Sequence, residues 1–310
     1  MSILTGEYIF AAKVETTYGT DATPTTILNA MRVKANIDIA KVELEGMEYD
    51  SGRTGAKGSL EKRRWVEGSL DAYLAGSGTA VGIAAIAPLM QAAGLKLTVN
   101  GTTDVAVTLD DIANAASITG KFYRGTALQT QVGARCDWEI ELSVDNLPRL
   151  KFPNYKAIYS AQVNGAKPAA ADLSAFLNPL PTDPISFVTQ SIFGFNAKIS
   201  KVTIKGGNEV VYVPESASVE IVDRTVTIDV EFKEPTPDVK DFYELIGTYG
   251  VINLQHGQNV VNVGNIFEAN AANAQLTNVS SSERNKISYL NCSFECIPTA
   301  ANNELTMKMR

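Results

Sequence analysis

Apolar residues fall on every second position over several stretches of the chain, the period of a β-strand with one buried face. RVKANIDI (32–39) puts Val33, Ala35, Ile37 and Ile39 on one side, and the apolar phase then slips and resumes at Val42 and Leu44. One extra residue near Ala40 or Lys41, a β-bulge, accounts for the slip. CDWEIELSV (136–144) alternates Cys136, Trp138, Ile140 and Leu142 against Asp137, Glu139 and Glu141, giving one face for a core and one acidic face. Further β-type runs are VVYV (210–213), ASVEIV (217–222), VTIDVEF (226–232), GVINLQH (250–256) and KISYLNCSFECI (286–297). Helical spacing is confined to IAPLMQAAG (86–94), near Pro88, and TPDVKDFYELIGTYG (236–250), entered through Pro237 and stopped by Gly250. The pattern predicts a mainly β, antiparallel protein with a short helix in each half.

The halves echo one another. GSLDAYL (68–74) matches VTIDVEF at a shift of 158, with small apolar residues on alternate positions and Asp71 on Asp229. At a shift of 156, Leu89, Met90, Gly94 and Leu95 fall on Leu245, Ile246, Gly250 and Val251, while Cys136, Trp138 and Ile140 fall on Cys292, Phe294 and Cys296. LNAMRV (28–33) matches FNAKIS (195–200) at a shift of 167. Two copies of one β module explain these echoes most simply: a first module over 1–152, a Pro/Ala-rich linker over 153–190 with the run AKPAAADLSAF, and a second module over 191–310. The shift falls by 167 − 158 = 9 residues between the first and second strand matches, so the first copy carries a longer connection. That connection, about 43–64, reads acidic and then basic: Glu43, Glu45, Glu48 and Asp50 precede Arg53, Lys57, Lys62, Arg63 and Arg64, with Glu61 interrupting. It is either a solvated hairpin whose charges neutralise one another or a loop that presents them to another subunit.

Composition narrows the chemistry. At 310 residues with 45% hydrophobic and 20% charged residues, the chain can bury one large core or two smaller ones. The opening MSILTGEYIFAAKV has no basic region followed by an apolar run, and the low-charge stretch around 81–90 is too short to span a bilayer, so a soluble protein without an export signal is expected. Cys136, Cys292 and Cys296 form no CxxC pair and read as buried thiols. A net charge of −7 opposes nucleic-acid binding through a basic surface. His256 is the only histidine, and Gly257 after it suggests a structural or solvent-facing position at a turn. SGRTGAKGS (51–59) fits neither a P-loop nor a dinucleotide fingerprint. No catalytic, metal-ligating or cofactor-binding residues are assigned, and no enzyme is expected.

A set of motifs in fixed order resembles the tail tube (major tail) proteins of long-tailed bacteriophages: KVETTYGTDATPT (13–25), GGNEVVYV (206–213), IVDRTVTIDVEF (221–232), KDFYELI (240–246), LQHG (254–257), NAQLTN (273–278) and NNELTMKM (302–309). The resemblance implies an antiparallel β-sandwich or barrel module with one flanking helix, polymerised as stacked rings around a channel for DNA ejection. It implies assembly in the host cytoplasm, residence in the virion tail, and tape measure, terminator and distal tail proteins as partners, with no membrane. Single-module relatives form six-membered rings. A doubled chain would then form homotrimers with pseudo-sixfold symmetry, stacked head to tail.

On that reading Asp38, Glu43, Asp71, Asp229 and Glu231 are the candidates for an acidic channel lining that repels DNA phosphates. Glu45, Glu48, Asp50, Arg53, Lys57, Lys62, Arg63 and Arg64 are the candidates for ring stacking, together with the terminal segments 2–25 and 304–310. Competing readings are another tail ring component (terminator, neck or baseplate), a two-module β-sandwich binding or adhesion protein, and a hydrolase using His256.

Overall fold

The computed structural model describes residues 7–50, 52, 54–165, 168, 170–259 and 261–310. The first half contributes β1 (Tyr8–Val14), β2 (Val33–Gly46), β3 (Ser59–Tyr73), helix α1 (Ala87–Ala92), β4 (Leu95–Asn100), β5 (Asp104–Leu109), β6 (Ile118–Arg124), β7 (Ala127–Arg135), β8 (Glu139–Ser143), β9 (Asn146–Ile158) and β10 (Val163–Asn164). The second contributes β11 (Phe187–Ile192), β12 (Phe195–Asn196), β13 (Ile199–Lys205), β14 (Asn208–Val213), β15 (Ser218–Arg224), β16 (Thr227–Lys233), β17 (Tyr249–His256), β18 (Phe267–Arg284), β19 (Ile287–Cys296) and β20 (Thr306–Met309).

The protein is mainly β and built on one large antiparallel sheet. Its central run reads β2–β3–β9–β8–β13–β16–β19–β18, so the strand order passes from one half of the chain to the other at the β8–β13 ladder without a break. Beyond this run, β7 continues to β6 and β1, and β18 continues to β17 and β11. A second tie comes from β20, which pairs with the start of β18 on one side and with β5 on the other. The β14–β15 hairpin forms a separate two-stranded sheet.

Local chemistry accounts for the ladders. The slip predicted in β2 is a bulge: the register runs from Asp38 opposite Glu67 to Lys41 opposite Trp65, so Ile39 and Ala40 together face Val66. The β18–β19 turn places Asn285 and Lys286 at φ 54° and 61°, the two left-handed positions that match the twist of a tight hairpin. Where β13 ends, a Cβ on Gly206 would stand 2.3 Å from Nε1 of Trp138, and only glycine lets the backbone pass. One continuous core spans both halves, from Phe10, Phe152, Tyr155 and Trp138 to Phe232, Phe242 and Phe294. The Phe232 and Phe242 rings meet edge to face at 5.0 Å.

The structure departs from the sequence pattern in several places. The helix over 86–94 is present as α1, but 236–250 forms successive turns rather than a second helix. Oδ1 of Asp241 accepts the Tyr243 N–H at 2.9 Å, an Asx-type turn that competes with helical bonding, and Val239, Tyr243 and Ile246 are exposed while Phe242 alone is fully buried. Without an apolar stripe to bury, so short a helix has no source of stability. Asp137 does not share an outward acidic face: it precedes β8 and is buried. Strands reach into the expected linker from both ends, β9 to Ile158 and β11 from Phe187.

Candidate assembly surface

Asp38, Glu43, Asp71, Asp229 and Glu231 lie on one face of the central sheet. Lys34 stands opposite Asp71, Asp71 opposite Lys151, Lys151 opposite Glu139, Glu139 opposite Lys205, and Lys205 opposite Thr227, which shares its side of β16 with Asp229 and Glu231. The bulge in β2 returns Lys41 and Glu43 to the side of Asp38. Sequence reasoning thus found five residues that the fold brings to one surface.

The surface is not uniformly acidic. Lys151 Nζ reaches Glu139 Oε1 at 2.8 Å and Glu141 Oε2 at 2.5 Å, Lys201 Nζ reaches Glu141 Oε1 at 3.4 Å, and Lys205 Nζ reaches Asp229 Oδ2 at 2.8 Å. Ser293 Oγ donates to the other oxygen of Asp229 at 2.8 Å. Partial burial pushes the Glu141 carboxyl up, but hydrogen bonds and charge from Lys151 and Lys201 outweigh it and hold the group below the usual carboxylate range. Opposite charges on neighbouring strands attract and like charges repel, so a wide sheet settles into alternating rows. These rows line a shallow depression floored by Val230 and Cys292. The lysines escaped sequence reasoning because their partners sit on neighbouring strands that only the ladders identify.

The connection 43–64 extends β2 and β3 into a two-stranded arm. Ion pairs join Arg63 to Glu43, Lys62 to Glu45 at 3.4 Å, and Arg64 to Glu61, and the Lys57 ammonium sits on the carbonyl of Tyr49 with its charge over that ring. Glu48 and Asp50 are exposed in the arm's tip, and Arg53 lies outside the described residues. Ion pairs thus run along the two strands of the arm, while Glu48 and Asp50 at its tip stay exposed. The arm also leaves apolar side chains uncovered: Leu44 is 59% exposed, Leu60 63% and Tyr49 52%.

The terminal segments named for stacking are tied to the fold over much of their length. Residues 1–6 lie outside the described residues, whereas β1 is a sheet strand and the following turn closes on Glu15. Its carboxylate accepts from Gly19 N–H at 2.8 Å, Ser117 Oγ at 2.6 Å, Thr119 Oγ1 at 2.9 Å and Gly133 N–H at 2.8 Å. Residues 304–310 enter the sheet as β20, and Glu304 pairs with Arg224 at 3.1 Å. Their polar backbone is used inside the chain.

His256 is buried against Phe187, with Nε2 3.4 Å from the Pro181 carbonyl, and burial lowers its pKa. Cys136, Cys292 and Cys296 are buried free thiols whose pKa burial raises, to about 12 for the latter two. Among the described residues, no group of three or more His, Cys, Asp or Glu side chains could hold a metal ion, and no helix is long and apolar enough to cross a membrane. No protein-family profile matches the chain, and no curated protein matches it.

Proposed function

We propose that the protein is a structural subunit of a phage tail tube: two tandem β modules per chain, three chains per ring, and rings stacked head to tail around a channel for DNA. The observation that carries the reading is the β8–β13 ladder, a joint between two similarly wired halves that leaves further strand edges open at both ends of the run.

Similar wiring supports the doubled module. The pairings β1–β6–β7, then β8–β9–β3–β2, recur as β11–β17–β18, then β18–β19–β16–β13. The row Lys34–Asp71–Lys151 corresponds to Lys201–Glu231–Asn291, at shifts of 167, 160 and 140. With β2 and β13 aligned at 167, the strand echo falls at 160 in place of 158, and the first connection would be longer by 167 − 160 = 7 residues. The match of Cys136 to Cys292 is coincidental on this wiring, since Cys136 precedes β8 and Cys292 lies on β19, the counterpart of β9.

Ring closure removes open edges that otherwise aggregate. The mixed-charge face suits a channel lining through which DNA slides: carboxylates repel phosphates, and lysines already paired to them hold no strong site for the backbone. The arm, with Leu44, Tyr49 and Leu60 uncovered, suits the contact between rings. Electron microscopy of the purified, concentrated protein tests the proposal. Hollow tubes support it, and discrete two-lobed monomers at every concentration overturn it.

A further inference from the structure

Among the described residues, two edges of the central run are open. Among the described residues β2 has a ladder with β3 alone, apart from the isolated bridge of Ala30 to Ala11 just before it; beyond residues 34–38, Gln129 Nε2 donates to the Ile39 carbonyl at 2.7 Å. At the other end, β17 covers β18 only as far as Gln275, and past the Leu276 backbone bonds the outer edge of 277–284 carries no ladder among the described residues. Neither edge has a proline, and the β18 edge is lined by Ser280, Ser281 and Ser282, small enough for a second backbone to approach.

The chain contains its own template for joining them. By the wiring above, β2 is the counterpart of β13 and the end of β18 the counterpart of β8, and β13 and β8 meet within the chain. Within that joint Lys201 faces Ser143, Val202 faces Leu142, Thr203 faces Glu141, Ile204 faces Ile140 and Lys205 faces Glu139. The offset for β2 is 167. For β18 it is 141, because Ile140 faces Leu150 as Ser281 faces Leu290, and Leu150 and Leu290 are counterparts.

We propose that β2 of one copy pairs antiparallel with the end of β18 of the next, with Lys34 opposite Arg284, Ala35 opposite Glu283, Asn36 opposite Ser282, Ile37 opposite Ser281 and Asp38 opposite Ser280. This rests on the ring reading and deepens it by naming the edges and the register. The charge pattern tolerates the register. Serine hydroxyls meet Asp38 and Asn36 on the polar face, and the one like-charged pair is offset by Asp71 opposite Lys34 and by Asp145, 3.2 Å from Arg284. The inter-copy joint has fewer apolar groups than the internal one, with Ser281 and Glu283 where the internal joint has Ile140 and Leu142. It therefore opens before the fold does.

The test is cysteine cross-linking of the full chain in its assembled state, where the native thiols are buried. In the double variant Asn36→Cys/Ser282→Cys, mild oxidation or a short bis-maleimide should convert most of the protein into covalent multimers on a non-reducing gel. Each single variant should remain at monomer size. Lys34→Cys/Arg284→Cys should behave likewise and serves if the first pair does not fold. Rings or tubes in the microscope with both pairs uncrosslinked, or with Asn36→Cys/Asn278→Cys linking instead, overturn the register while leaving the ring reading in place. Wild-type protein that forms no rings at all overturns both.

Discussion

The backbone N–H of Asn208 donates to Oδ1 of Asp137 at 2.9 Å, joining the turn after β13 to the segment before β8. Asn208 completes the link through its own amide, which donates to the Ala93 carbonyl at 2.8 Å. Burial, aided by the neighbouring Glu139 charge, pushes the Asp137 carboxyl up to about 6 against hydrogen bonds from the backbone of Asn208, Trp138 and Gly207.

A pH dependence follows. Because the folded pKa is raised, the folded state holds the proton between about pH 4 and 6 where the unfolded chain has lost it, so this group's contribution to stability falls as pH rises through that window and is level above it. Asp137→Asn stays neutral throughout, and its stability relative to wild type should improve by about 2–3 kcal/mol between pH 4 and 7. Urea unfolding of both proteins across that range measures the gap, and a constant gap contradicts the assignment.

On the polar face the sign is opposite. Lys151→Met removes the ion pairs to Glu139 and Glu141, leaving Glu141 with Lys201 alone, and should cost about 1–2 kcal/mol at pH 7. The depressed Glu141 pKa supplies stability that is present above its unfolded value and is lost as pH falls through the folded one. The cost should therefore shrink in acid. Denaturation at pH 7 and near pH 3 checks this, and an equal cost at both contradicts it.

Glu15 takes four hydrogen bonds at a position with little solvent. Glu15→Ala leaves buried donors without an acceptor, among them the Gly133 N–H, and should destabilise the fold by about 3 kcal/mol. Glu15→Gln keeps one acceptor and should recover part of the loss. Thermal unfolding of the two variants separates them.

The arm gives an assembly prediction without a folding cost. Replacing residues 47–58 by Asn-Gly shortens the connection to a tight hairpin and removes Tyr49 and Met47, which the core does not use. The variant should melt within a few degrees of wild type and fail to form tubes. Normal tubes from this variant would exclude the arm's tip from ring stacking.

Sequence reading reached the strands and the β2 bulge because a half-buried sheet writes its period into the chain. It missed the partners of Lys151 on β8 and of Lys205 on β16 because strand registers are set by the fold, and the β8–β13 ladder that puts these pairs side by side is a tertiary fact. If the halves are copies with Lys34 the counterpart of Lys201, the ladders put the strand echo at 160 and not 158, a difference the chain cannot show because an alternating pattern looks the same at every even shift. The second helix failed where Asp241 bonds its own backbone, and the acidic face of 136–144 failed at Asp137, where strand alternation has not yet begun.

The central claim is a ring closed by a doubled subunit. Rotational averaging of end-on tube or ring images by electron microscopy tests it most directly. The account predicts threefold symmetry with six similar lobes, three chains each supplying two modules. Rings with true sixfold symmetry of whole chains, or particles with no rotational symmetry, would contradict it.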